Sequence, residues 1–471
     1  ASKEGRGCRP GPRAALCGAG ALCLAAAAGA AAVAAAAAGR PPHAVPVAAQ
    51  SVPNPELIML DEALYPHAKC MDGSQYGYFW QKASAEADAA NWVLFMQGGG
   101  QCITQEMCNR TCSSKVGKEF LCSMKYFGAT AQLVTNATWE EKIVPMSSAF
   151  LSAHASLNPI MATWNHVYLN FCSQDWWTGT RSEATNETFG YYFSGHLIME
   201  AVISDMKQRA QLASAGSVVL TGKSSGGVGV NLHADWLKEQ LPNVKVLAAP
   251  IAGFYGIQYV WPDPAKPLSL ALMNVETVPS YVKLWSSFLP PACVASLKER
   301  DVEQSLCLLS SFVSQTHTVP KFVIQAQTDT AQLLLRGFPP PQATMVNFAT
   351  DISSVLKAQH TTMMPNQTMV NEIYASIRAE YNANVTMWSF LNAWKMNQTV
   401  NLGPALKAGD GLFSPACFIH TSFFPATPLI NEFSYVTAFN KWYADGTEVR
   451  LTDDCGLLCG TCSLSALGLS V

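Results

Sequence analysis

The chain has 471 residues, 49% of them hydrophobic and 13% charged, and a formal net charge of −3. This composition allows a large core and either one large or two ordinary domains. It carries no basic field, which excludes nucleic acid as an expected partner.

Lys3, Arg6, Arg9 and Arg13 precede an alanine-rich run from Ala14 to Ala38. A basic flank before an apolar stretch is the pattern of a secretory leader. The run is also long enough to span a bilayer, so a cleaved leader and a membrane anchor both stay open. Arg40-Pro41-Pro42 ends any helix there. Residues 1–50 read as leader and linker, residues 51–446 as one catalytic domain, and residues 447–471 as a cysteine-containing tail. Membrane contact is expected only through the N-terminal segment, and the expected state is a monomer.

Within the domain, apolar runs alternate with segments of helical spacing. Trp92–Met96 leads into Gly98-Gly99-Gly100, and His166–Phe171 into Cys172-Ser173-Gln174-Asp175-Trp176-Trp177. A helical stretch from about His196 to Leu212 precedes the β-branched run Ser217–Leu220. A helix is expected over Val228–Leu241, and further strands over Asn243–Ala248 and Lys321–Gln325. This rhythm predicts a mainly parallel central sheet with helices on both faces. In such folds the site lies outside the carboxyl ends of the strands. The less regular segment Pro262–Gln315 reads as an insertion or cap.

Between the Ser217 strand and the Val228 helix stands Gly222-Lys223-Ser224-Ser225-Gly226-Gly227. Strand, G-x-S-x-G and helix form the nucleophile-elbow context of an α/β-hydrolase-like fold, with Ser224 at the apex. A serine hydroxyl is a weak nucleophile at neutral pH, so it needs a base, an orienting carboxylate and oxyanion donors. In this fold the order is serine, acid, histidine.

His233 lies on the helix after the elbow, His317 precedes a strand, and His360 sits in a polar stretch. His420, late in the domain and close to Cys417, fits best as the base. Asp329 directly follows the Lys321 strand and fits as the acid, with Asp351 and Asp410 as rivals. An aspartate there also suits a helix N-cap. The Gly98–Gly100 loop and the N–H of Ser225 would supply the oxyanion donors, and this chemistry calls for no metal or organic cofactor.

Six N-x-T sequons, at Asn109, Asn136, Asn186, Asn366, Asn384 and Asn397, agree with export. Of fifteen cysteines, twelve follow the leader, an even number that suggests disulfides in an oxidising compartment. The secretory pathway is the expected location, either outside the cell or anchored with the domain in the lumen. A metal cluster at Cys102/Cys108/Cys112 or Cys455/Cys459/Cys462 is the alternative. Trp164, Trp176 and Trp177 would offer a sugar-stacking surface if exposed.

Six motifs occur in order: Cys70–Tyr78, Gly98–Cys102, Cys172–Gly179, the elbow, Thr328–Leu333 and Pro415–His420. Together they resemble the pectin acetylesterase/Notum family of secreted α/β-hydrolases from about Leu57 to Tyr443. The resemblance implies Ser224 as nucleophile, Asp329 as acid, His420 as base, and an oxyanion hole from Gly99, Gly100 and Ser225. It implies two substrate branches: acetyl esters of pectin, or a fatty acyl group on a secreted signalling protein. Gln101, Lys223 and Ser225 depart from the family pattern near the pocket. The expected function is removal of O-acetyl groups from a pectin-like polysaccharide. The alternatives are a lipid-type deacylase, a thioesterase or peptidase with the same triad, and a silent glycan-binding relative.

Overall fold

The Ser217 run forms the middle strand of the sheet, and its side chains bury on both faces, as a central parallel strand requires. A computed structural model describes residues 52–114, 121–125, 135–144, 147–258, 275–338, 385–426 and 428–457. The leader, Asp351, His360, Asn366, Asn384, Cys459 and Cys462 lie outside them.

The nine strands are β1 (Glu56–Met59), β2 (Gly77–Gln81), β3 (Asn91–Met96), β4 (Asn165–Leu169), β5 (Ser217–Lys223), β6 (Lys245–Ile251), β7 (Phe322–Ile324), β8 (Gly411–Ser414) and β9 (Arg450–Thr452). They form one sheet in the order β1-β2-β4-β3-β5-β6-β7-β8-β9. The β1–β2 and β2–β4 pairs are antiparallel and all the others parallel. The carboxyl ends of β3, β5, β6, β7 and β8 therefore share one edge.

The main helices are α1 (Gln105–Ser113), α2 (Gly195–Arg209), α3 (Ser225–Gln240), α4 (Val278–Trp285), α5 (Pro291–Glu299), α6 (Thr330–Leu335), α7 (Val385–Ala405) and α8 (Tyr435–Asp445). The largest core cluster joins sheet residues such as Leu94, Val219 and Ile324 to Val202, Ala234 and Phe439 of α2, α3 and α8. A second cluster packs α4 and α5 against α3 through Trp176, Val228, Tyr255, Tyr281 and Trp285. The described part of the Pro262–Gln315 segment is thus a helical layer beside the elbow. Among the described residues no helix is long and apolar enough to cross a membrane.

Two departures from the expected element boundaries have a clear physical cause. Helix α3 starts at Ser225, three residues before the expected Val228, and runs through glycines that disfavour helix on propensity alone. Close packing overrides that preference: a Cβ on Gly226 would lie 1.9 Å from Met96 O. Strand β6 runs past the expected Ala248 to Ile251 and includes Pro250. Ala248 N–H donates to Pro320 O and Ala252 N–H to Ile324 O. Pro250 falls between them on the same side and has no N–H, so the β6–β7 ladder lacks a rung there.

Disulfides tie the loops down: Cys70–Cys172, Cys102–Cys108, Cys112–Cys122 and Cys293–Cys307. Cys417 and Cys455 are disulfide-bonded as well. The sulfurs of Cys102, Cys108 and Cys112 are therefore committed to bridges, and among the described residues no group of three or more His, Cys, Asp or Glu could hold a metal. Denatured without reductant, the protein is expected to titrate with few or no free thiols. Reduction should lower its Tm, since a bridge contributes about 2–4 kcal/mol. Six or more free thiols would contradict this bridge set.

Candidate active site

The turn after β5 is where sequence and backbone strain coincide. Ser224 adopts φ 55°, ψ −122°, a conformation that L-residues rarely adopt. Its N–H donates to Ile251 O on β6, which pins the apex to the sheet. The loop after β3 presses on this turn. A Cβ on Gly98 would lie 2.4 Å from Lys223 O and 2.8 Å from Ser224 Cβ, so only glycine fits. No heavy atom lies within 4 Å of where a Gly100 side chain would start, and the loop opens into free space there. Ser225 Oγ donates to Gly100 O at 2.6 Å and ties the elbow to the glycine loop.

The segments after β7 and β8 bring Asp329 and His420 to the same edge. His420 Nε2 lies 2.7 Å from Ser224 Oγ, and Nδ1 lies 2.9 Å from both carboxylate oxygens of Asp329. An ionised carboxylate only accepts, so Nδ1 carries the proton and the Nε2 lone pair faces Ser224. Asp329 also caps α6, accepting from Gln332 N at 3.0 Å through Oδ1. Oδ2 accepts from Gln325 Nε2 at 3.0 Å. The helix-capping and histidine-orienting readings of Asp329 describe one residue in one geometry.

Other expected or rival residues lie elsewhere. His233 donates through Nδ1 to Gly229 O and meets His196 through Nε2, and burial lowers its pKa to about 4. His317 pairs with Asp410 at 2.9 Å, before β7 and β8 and so at the opposite edge of the sheet. Trp164, Trp176 and Trp177 are all buried, which corrects the idea of an exposed stacking surface. Asn109 and Asn186 are exposed, whereas Asn136 and Asn397 are partly buried. Nδ2 of Asn136 donates to Val52 O, and that of Asn397 to Ile257 O and Gln258 Oε1.

The departures near the pocket are polar and buried. Burial lowers the Lys223 ammonium to about 8. Gln101 Nε2 has no hydrogen-bond partner among the described residues. Arg336 is fully buried, which brings it down to about 10 against the pull of Tyr255 and Asp329.

Two supporting features were not assigned from the sequence. Asp175 accepts from Ser173 Oγ and from the N–H groups of Trp177, Gly179 and Gly195, and so shapes the loop after β4. That loop holds Gln174, Trp176 and Trp177 at positive φ, and Gln174 O accepts from Cys102 N beside the glycine loop. Asp175 stood inside a motif and could have been singled out. Tyr255, whose ring packs on that of Trp176 with centroids 5.5 Å apart, stands in no motif.

Sheet order, strained turn and hydrogen-bonded Ser–His–Asp chain define an α/β-hydrolase-like protein. Residues 48–463 match the pectinacetylesterase family, and the chain belongs to it. It is 28% identical over 279 residues to the palmitoleoyl-protein carboxylesterase NOTUM of Schmidtea mediterranea, covering 58% of this chain and 48% of that one. It is 29% identical over 297 residues to pectin acetylesterase 11 of Arabidopsis thaliana, covering 61% and 65%. The chain thus spans about half the length of the NOTUM relative and under two thirds of the plant one. The structure of the Wnt deacylase Notum from Drosophila superposes with a TM-score of 0.65 at 20% identity, covering 88% of this chain and 99% of that one.

Proposed function

We propose that this chain is a serine carboxylic ester hydrolase of the secretory pathway that removes O-acetyl groups from a pectin-like polysaccharide. The observation that carries the reading is the unbroken hydrogen-bond chain from Ser224 through His420 to Asp329, set at a nucleophile elbow. Ser224 Oγ attacks the ester carbonyl while His420 Nε2 takes its proton. The N–H groups of Gly99, Gly100 and Ser225 receive the developing oxyanion. His420 returns the proton to the departing alcohol, and Asp329 stabilises the imidazolium. Water, activated by the same imidazole, then releases acetate and regenerates Ser224.

A second reading, fatty-acyl deacylation, draws support from the Notum likeness in sequence and fold. The buried polar groups near the turn favour the short acyl group. An alkyl chain laid against Lys223 would leave its buried ammonium unpaired, at a cost of about 1–3 kcal/mol. A lipid pocket would instead gain about 0.8 kcal/mol for each buried methylene.

A panel of chromogenic esters, with Ser224→Ala as control, separates the two. kcat/KM should be highest for acetyl and fall steadily through butyryl to octanoyl. A climb from acetyl to octanoyl would sink the acetylesterase reading and promote the deacylase.

A further inference from the structure

Helix α6, which Asp329 caps at its start, ends on a buried cation that the mechanism above leaves without a role. Arg336 is the C-cap and is fully buried. Its Nη2 donates to Gly256 O, in the loop after β6, at 2.6 Å. Its Nε and Nη1 are buried and have no hydrogen-bond partner among the described residues. None of the ion pairs among those residues includes Arg336. The indole of Trp394, on α7, packs against the guanidinium, with Cζ 5.4 Å from the ring centroid. Trp394 Nε1 is also buried and without a partner among the described residues. The π face of Trp394 and the helix end offset part of the charge, yet neither accepts a hydrogen bond from Nε or Nη1.

A guanidinium keeps its proton at neutral pH, so it cannot shed its charge as a buried histidine can. A buried charge without a counter-ion is among the costliest arrangements in a folded protein. The donors define what would satisfy it. Arg336 Nε, Arg336 Nη1 and Trp394 Nε1 only donate, so each needs an acceptor, and the uncancelled positive charge calls for a negative one. Gln332 Oε1, one turn back on the same face of α6, is an acceptor without a partner among the described residues. It is a neutral dipole and cannot cancel a full charge. Arg336 and Trp394 are each no more than 1% exposed, so the counter-ion has to be small. Arg336 lies roughly 10 Å along α6 from Asp329, at about 1.5 Å per residue. A ligand there steadies the far end of the helix that the catalytic acid caps.

We propose that Arg336 and Trp394 form a buried binding site for one small monovalent anion, a halide or a short carboxylate such as acetate. The anion neutralises the guanidinium, and its lone pairs accept from the free N–H groups of Arg336 and from the indole N–H. Because Arg336 Nη2 also holds Gly256 O, the bound ion joins α6, α7 and the loop after β6. The assignment does not depend on which acyl group Ser224 removes, and the two stand or fall separately.

The test follows thermal unfolding of the full chain at constant ionic strength while sodium gluconate is replaced by sodium chloride or sodium acetate. Gluconate carries the same charge on a body too large for an enclosed site. With at least one of the small anions Tm should rise by about 3 °C or more and then saturate. The salt that saturates at the lower concentration tells halide from carboxylate. Arg336→Met removes the cation and should abolish the rise. Trp394→Phe keeps cation and ring, removes only the N–H, and should raise the half-saturating concentration about tenfold. Where chloride protects, crystals soaked in bromide should show an anomalous peak beside Arg336, a readout that needs no variant to fold. A Tm that is the same in all three salts overturns the site, as does a rise that survives Arg336→Met. Protection by chloride with the bromide peak elsewhere overturns it too. Ester hydrolysis enters none of these readouts, so failure here leaves the esterase reading untouched.

Discussion

Ser224→Ala is expected to abolish covalent labelling by a fluorophosphonate and to lower kcat by on the order of 10⁴ or more. Two adjacent serines compete for the role, and the geometry separates them. Ser224 holds the strained apex with Oγ 2.7 Å from His420 Nε2. Ser225 is the first residue of α3, and its Oγ is already committed to Gly100 O. Ser225→Ala keeps the backbone N–H proposed as an oxyanion donor and removes one supporting hydrogen bond. That bond is worth about 0.5–1.5 kcal/mol, so at most about a tenfold loss of rate is expected. Labelling that survives Ser224→Ala and disappears with Ser225→Ala would place the nucleophile one residue later.

What could be read from the sequence was what local rules determine. The elbow needs small residues where strand and helix nearly touch, and that need is written into Gly222, Gly226 and Gly227 within six positions. Asp329 and His420 each follow a parallel strand of the central sheet, so the carboxyl-edge rule was enough to bring Asp329 to the edge where Ser224 stands. The strand before His420 was not read, because β8 has only four residues and no clear alternation. Strands β1 and β2 were also unread. Their antiparallel pairing at the edge of the sheet follows from a tertiary contact with β4, not from any local signal. Tyr255 was illegible for a related reason. Its neighbour Phe254 is held by Gln325, one residue past β7, and by Gln332 of α6, a meeting that no spacing in the chain announces. His317 with Asp410 is the converse case, a buried His–Asp pair in hydrogen-bond contact but at the wrong edge. Residue type alone would not have told it from the candidate site.

Asp329→Asn should cost nearly as much as loss of the nucleophile, on the order of 10⁴ in kcat, although it is isosteric. Both carboxylate oxygens are acceptors in the folded protein, one for Gln332 N and one for Gln325 Nε2, and both face His420 Nδ1. An asparagine has only one acceptor oxygen. If its amide nitrogen faces Gln325, two donors meet. Gln325 cannot flip in response without releasing Phe254 N–H from its Oε1. If the nitrogen faces Gln332 N, the α6 cap is lost, at about 0.5–2 kcal/mol. In either pose the new N–H group can donate to His420 Nδ1, which moves the ring proton to Nε2. That nitrogen then meets Ser224 as a donor and cannot take its proton. Tm should fall by no more than the loss of a cap explains, while fluorophosphonate labelling of Ser224 slows with kcat. A variant that folds normally and keeps kcat within tenfold of the unaltered protein would remove Asp329 from the mechanism.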